Sequence, residues 1–299
     1  MIDLPKRFPA VMLATCPLPW TAAGQLEVDL FQRSVERQAR ELTASLYLFG
    51  TAGEGYAVTG AQFRQAVIAF QEALPAEAEP MVGVISLSLA TMIERIEWTQ
   101  ARGIRDFQIS LPAWGALTDR EVASFFAEIC GRFPDCRFLH YNLARTKRVL
   151  TGDDYARVAA AHPNLVAIKM GGEDTAAFEA ILTRAPALQC FFTEFGYAAM
   201  RSRFECGLLV SISSVHWQNS RRFFAARGAD RTMIEELRAI HGRLMAIVGH
   251  EAHMDGAYDK LFVKVHEPDF PLRLLPPYDS TSDATFRSFR DSLPAAWRT

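Results

Sequence analysis

Lys169 closes the short apolar run Leu165-Val166-Ala167-Ile168 and is followed at once by Met170-Gly171-Gly172. Lysine is scarce in this chain: Lys6, Lys147, Lys169, Lys260 and Lys264 are the full set, and arginine supplies the rest of the 32 basic residues. A desolvated amine can lose its proton and attack a carbonyl, which a guanidinium cannot do. Lys169 is therefore the candidate Schiff-base residue. The competing reading is a lysine that snorkels from a strand end into solvent. A second apolar run ends in His140-Tyr141-Asn142, and a phenol beside an imine-forming amine is suited to general acid and base work. A third runs into Phe49-Gly50-Thr51-Ala52-Gly53-Glu54-Gly55. Backbone N–H groups of such a turn, with the Thr51 hydroxyl, can cradle a small anion such as a carboxylate. No lysine–serine pair follows, as it would in a phosphate-binding P-loop. A purely structural strand-to-helix connection is the alternative for this turn.

These three segments need elements that bring them together. Short apolar runs mark strands at Ala10–Thr15, Ser45–Phe49, Pro80–Val84, Asp106–Ser110, Arg137–Tyr141, Leu165–Lys169, Gln189–Thr193 and Leu208–Ser213. Helical periodicity falls between them at Leu30–Leu42, Thr59–Ala73, Leu89–Ala101, Asp119–Arg132, Thr151–Ala161, Asp174–Thr183 and Tyr197–Cys206. Thr59-x-x-Gln62 reads as a capping box, and Thr118 and Thr151 open acidic helix starts. Eight alternations predict an α/β (β/α)8 TIM barrel over residues 1–219. A doubly wound sheet is the competitor, but the first strand is not followed by a GxGxxG turn. Residues 220–299 read as a C-terminal helical extension packed on the barrel, with helices near Arg231–Val248, Asp255–Val265 and Ala284–Leu293. In a barrel, carboxyl ends of strands share one mouth. Adjacent strands lie about 4.8 Å apart, so Tyr141 and Lys169 can face each other across one spacing.

Composition narrows the class. A hydrophobic fraction of 49% fits a globular protein, and a net charge of −2 gives no reason to expect nucleic acid or an anionic membrane as partner. Met1–Arg7 lacks the apolar core of a signal peptide, and no apolar run reaches the length of an ordinary membrane span. Five cysteines without metal-type spacing suggest reduced, buried thiols and a cytoplasmic location.

Together, Gly50–Gly55, Tyr141-Asn142 with Arg145-Thr146 beyond it, and Ala167–Lys169 resemble the dihydrodipicolinate synthase and N-acetylneuraminate lyase family in order and spacing. The resemblance runs from about Pro9 to Leu293 and includes a late Leu-Pro-Pro segment. It implies a (β/α)8 barrel with a helical C-terminal region and a homo-oligomer, tetramer or dimer. It also implies that Lys169 forms a Schiff base with a 2-oxo acid, typically pyruvate, and that Tyr141 shuttles protons. Thr51 and the Ala52 N–H would hold the substrate carboxylate, and Arg145 would meet a second substrate such as an aldehyde. No metal or organic cofactor is implied.

Departures bear on the substrate. Ala52 stands where many synthases carry a second threonine, and Pro112-Ala113-Trp114-Gly115 stands where they carry Pro-Tyr-Tyr. An indole cannot relay protons as a phenol does, which leaves Trp114 as a substrate contact at the mouth or an interface filler. Lys147-Arg148 and Gly171 also differ from the synthase and lyase patterns. The expected activity is thus a lyase or aldolase on a small 2-oxo acid. A sugar-acid dehydratase or aldolase, or a non-catalytic 2-oxo acid sensor, are the alternatives. His250-Glu251-Ala252-His253 has the wrong spacing for a zinc HExxH helix. Glu54 reads as a buried organiser of the glycine turn, Glu194 as a distal substrate contact, and His216-Trp217 as mouth or packing residues.

Overall fold

The structure, a computed structural model, describes residues 5–76 and 78–298. The reading of Met1–Arg7 as lacking the core of a signal peptide lies, over its first four residues, outside the described residues. Eight parallel strands close into a barrel in chain order. They are β1 (Met12–Thr15), β2 (Leu46–Leu48), β3 (Met81–Gly83), β4 (Asp106–Ile109), β5 (Arg137–Tyr141), β6 (Leu165–Met170), β7 (Gln189–Phe192) and β8 (Gly207–Leu209). Helices follow each strand: α1 (Val28–Glu41), α2 (Gly60–Ala73), α3 (Leu89–Gln100), α4 (Asp119–Phe126), α5 (Gly152–Ala161), α6 (Thr175–Arg184), α7 (Glu194–Met200) and α8 (Trp217–Ala225). The C-terminal region adds α9 (Arg231–Val248), α10 (Asp255–His266) and α11 (Asp283–Ser292). The chain clusters into two compact units. One comprises the described part of Met1–Leu13 with Glu79–Leu209, the other the described parts of Ala14–Ala78 and Val210–Thr299.

Local chemistry sets the helix starts. Thr59, Thr118 and Thr151 each form a full capping box, with Gln62, Glu121 and Asp154 reaching back to the cap. Each box satisfies two N–H groups that have no partner inside the helix.

Three expectations shift. The helix read from Asp119 to Arg132 is α-helical only to Phe126 and continues as a π turn over Ala127–Gly131. The side-chain amide of Asn164 donates to the carbonyls of Cys130 and Phe133 at the end of this segment. The last strand stops at Leu209, and a 3-10 turn occupies Ile212–Val215. Serine hydroxyls account for this: Ser214 donates to the Ser211 carbonyl and Ser220 to that of Ser213, both at 2.6 Å. The seventh helix begins at Glu194, immediately after β7, and ends at Met200.

All five cysteines are unpaired and buried, and burial raises Cys130, Cys190 and Cys206 to about 12. Among the described residues, no helix is long and apolar enough to cross a membrane.

Burial also holds two histidines neutral: it lowers His140 to about 3 and His266 to about 4 from an ordinary 6.5. His140 Nδ1 lies 2.7 Å from the Tyr155 hydroxyl, and His266 Nε2 lies 2.9 Å from the Ser214 carbonyl. Between the folded and unfolded values the unfolded chain binds more protons, so stability falls as pH drops through that window. His266 alone should contribute a loss on the order of 3 kcal/mol between about pH 6.5 and about pH 4. The urea midpoint is expected to fall between about pH 7 and about pH 4.5, and less steeply in His266→Gln. An unchanged slope in that variant would remove His266 from the acid response.

Candidate active site

Tyr141 and Lys169 are register partners on β5 and β6. Side chains alternate along a strand, so the direction of one neighbour fixes the other. His140 points into the helical layer, 5.2 Å from the Phe126 ring of α4 and bonded to Tyr155 of α5. Tyr141 and its partner Lys169 therefore take the interior face. Lys169 is 1% exposed, and its Nζ lies 4.1 Å from the Tyr141 ring centroid. Phe191, fully buried on β7, is its register partner on the other side. The lysine does not snorkel. It is enclosed, with the ring face of a phenol beside its amine.

The segment after β5 is braced. The Asn142 N–H donates to the Lys169 carbonyl at 2.9 Å. The Asn142 side chain exchanges two 2.9 Å hydrogen bonds with the backbone of Leu150, pinching off residues 143–149 as a loop. Inside that loop the Thr146 hydroxyl donates to the Leu143 and Arg148 carbonyls. Arg148 reaches Asp119 at the start of α4 and Asp154 in α5. Lys147 has a left-handed φ of 61°, and its amine donates to the Trp114 carbonyl at 2.9 Å. Arg145 sits on the 3-10 turn Ala144–Thr146 with its side chain exposed. The Trp114 indole is 83% exposed.

In the second unit, Thr51 and Ala52 follow β2 and are 5% and 6% exposed. The turn closes through Glu54 N–H to Thr51 carbonyl (3.1 Å) and Gly55 N–H to Gly50 carbonyl (3.3 Å). Its glycines serve close approach rather than a positive φ. A Cβ on Gly53 would lie 2.9 Å from the Phe49 nitrogen, and one on Gly55 would lie 2.9 Å from the Phe49 carbonyl oxygen. Left-handed backbone falls instead on Phe49 (φ 65°) and Glu54 (φ 54°). Such conformations cost of order 1–3 kcal/mol each and persist where surrounding contacts enforce them. Glu54 is enforced by Trp20 Nε1 (2.8 Å), the Leu275 N–H (2.6 Å) and Lys260 Nζ (2.7 Å).

Lys260 was missed by the sequence reading. Its scarcity signal equals that of Lys169, but it opens an apolar run, Leu261-Phe262-Val263, where Lys169 closes one. Of the remaining candidates, Glu194 is a buried first-turn residue of α7. His216 caps α8 by accepting from the Asn219 N–H. Trp217 is buried and stacked on His266 at 3.8 Å, so this pair packs. Among the described residues no cluster of three His, Cys, Asp or Glu side chains is placed to hold a metal ion.

The profile of the dihydrodipicolinate synthetase family matches residues 9–254. A 4-hydroxy-tetrahydrodipicolinate synthase from an Exiguobacterium species is 24% identical over 177 residues, 59% of either chain. The chain thus spans under two thirds of the length of that relative. A prophage protein of the dihydrodipicolinic acid synthase family from E. coli K12, solved in complex with pyruvate, superposes with a TM-score of 0.82 at 12% identity, covering 94% of this chain and 96% of that one. A monomeric dihydrodipicolinate synthase variant superposes with a TM-score of 0.78 at 18% identity, covering 97% of each.

Proposed function

From the premise that the chain belongs to the dihydrodipicolinate synthetase family, we propose that it is a Schiff-base-forming lyase or aldolase acting on pyruvate or another small 2-oxo acid. One observation carries the reading: the Lys169 amine is enclosed and lies 4.1 Å from the Tyr141 ring centroid. The amine attacks the keto carbon, and loss of water leaves a protonated imine. That imine withdraws electrons from the neighbouring carbon, which can then lose a proton or break or form a C–C bond. Tyr141 moves protons to and from the adduct. Thr51 and the Ala52 N–H hold the carboxylate, and Arg145 and Trp114 meet the second substrate, an aldehyde in the condensing direction. Neither a metal nor an organic cofactor enters these steps.

The sugar-acid dehydratase or aldolase reading shares the imine and differs in what leaves. The exposed Trp114 favours keeping it, because an indole cannot take the relay role of a phenol. It also sustains the third reading, a sensor that binds without turnover. A cytoplasmic homo-oligomer, dimer or tetramer, completes the proposal. The monomeric relative makes the oligomer a separate question for sedimentation.

Borohydride reduction in the presence of pyruvate, followed by peptide mass mapping, tests the proposal. The expected result is a stable adduct on the Lys169 peptide. Failure with pyruvate and with a panel of 2-keto-3-deoxy sugar acids would overturn the enzyme reading. An adduct without turnover of any aldehyde or sugar acid would favour the sensor.

A further inference from the structure

We infer that Lys260, in the C-terminal helical region, is a positioning residue for the carboxylate-binding turn, acting through Glu54. This inference rests on the 2-oxo acid reading above and extends its machinery beyond the strand ends. Lys260 and Glu54 are both fully buried, and the amine lies 2.7 Å from the carboxylate. Removing two charges from water costs several kcal/mol per ion, and buried pairs are often no more stabilising than apolar residues of the same volume. Stability alone is therefore a poor account of this pair. Geometry is a better one.

The Glu54 carboxylate gathers three segments onto one side chain: Trp20 from the loop after β1, the Leu275 backbone, and Lys260 from α10. Lys260 spends another proton on the Arg273 carbonyl, so the same amine also fixes the segment that carries Leu275. The α10 start packs on the turn directly, since a Cβ on Gly256 would lie 3.2 Å from the Ala52 carbonyl oxygen. Glu54 is itself in the left-handed region, and its N–H closes the turn onto the Thr51 carbonyl. Take away the ammonium, and a buried anion in a strained backbone loses a charge-assisted contact. The turn would then relax, and the Thr51 hydroxyl and Ala52 N–H would move with it. Burial lowers Lys260 to about 8, and the facing Glu54 carboxylate opposes that fall.

The test compares two carbonyl probes in borohydride trapping at Lys169: pyruvate, which carries a carboxylate, and hydroxyacetone, which does not. In Lys260→Met, the pyruvate concentration for half-maximal trapping should rise at least about tenfold. Maximal labelling and the hydroxyacetone response should stay as in the parent protein. A merely structural role would weaken both probes alike, and that result, or no change with either, overturns the inference. If Lys260→Met does not fold, Glu54→Gln keeps the side-chain volume and is held to the same two outcomes. A parent protein that traps no 2-oxo acid would overturn the functional reading itself. Normal parent trapping with an unshifted variant would overturn only the role of Lys260.

Discussion

Lys169→Met should leave a folded protein that forms no borohydride-stable adduct with any 2-oxo acid. The reasoning begins with burial. Lys169 is 1% exposed, so an unbranched apolar side chain of similar length exchanges a costly buried amine for a group that packs well against aromatic rings. The thermal midpoint is expected to match or exceed that of the parent. Turnover should fall at least about 10⁴-fold, because no remaining group can supply the covalent step. The other lysines are committed elsewhere. Lys6 donates to the Leu188 carbonyl and Lys147 to that of Trp114. Lys260 is paired with Glu54, and Lys264 donates to the Pro268 and Phe270 carbonyls. Mass mapping would find any adduct that moved to one of these. Turnover within about tenfold of the parent would sink the Schiff-base assignment.

Why Lys169 and Tyr141 were legible, and Lys260 was not, is a matter of where the constraint sits. A strand end in a barrel has a direction set by alternation, so His140-Tyr141 and Ile168-Lys169 carry their orientation in their order. Capping boxes at Thr59 and Thr118 are likewise local in sequence, and the helix starts agree to within a residue. The Glu54 network joins residues 20, 54, 260 and 275, which no periodicity connects. The glycine turn was half legible. Its composition marked a tight turn with backbone N–H groups on offer, but not that the left-handed positions are Phe49 and Glu54, nor that the glycines are needed because the turn folds back on Phe49. The end of β8 was misplaced because Leu208–Ser213 is apolar enough for a strand, while the carbonyls of Ser211 and Ser213 accept from the hydroxyls of Ser214 and Ser220, three and seven residues on. The start of α8 escaped notice because His216, an uncommon cap, does the work of a serine or aspartate there.

Tyr141→Phe separates packing from chemistry. The contact between Lys169 and Tyr141 is between an amine and a ring face, and phenylalanine preserves that face. The substitution removes one hydroxyl and little else, and Tyr141 is only partly buried, so its effect on folding should be small. If the phenol carries protons to and from the imine, every step that makes or breaks a C–H or O–H bond slows, while the final equilibrium of imine formation does not change. The expected loss in kcat is about 10²–10⁴-fold, the usual contribution of a positioned acid–base group. Borohydride trapping should still go to completion on longer incubation. Exchange of the pyruvate methyl protons with deuterated solvent, followed by NMR, isolates the proton transfer without any second substrate. That exchange should slow by a similar factor, because forming the enamine requires a base to remove a proton from the carbon next to the imine. Exchange at the parental rate would transfer the proton-shuttle role to another group. Slow exchange with an unchanged extent of trapping would assign the protons to Tyr141 and the carbon chemistry to Lys169.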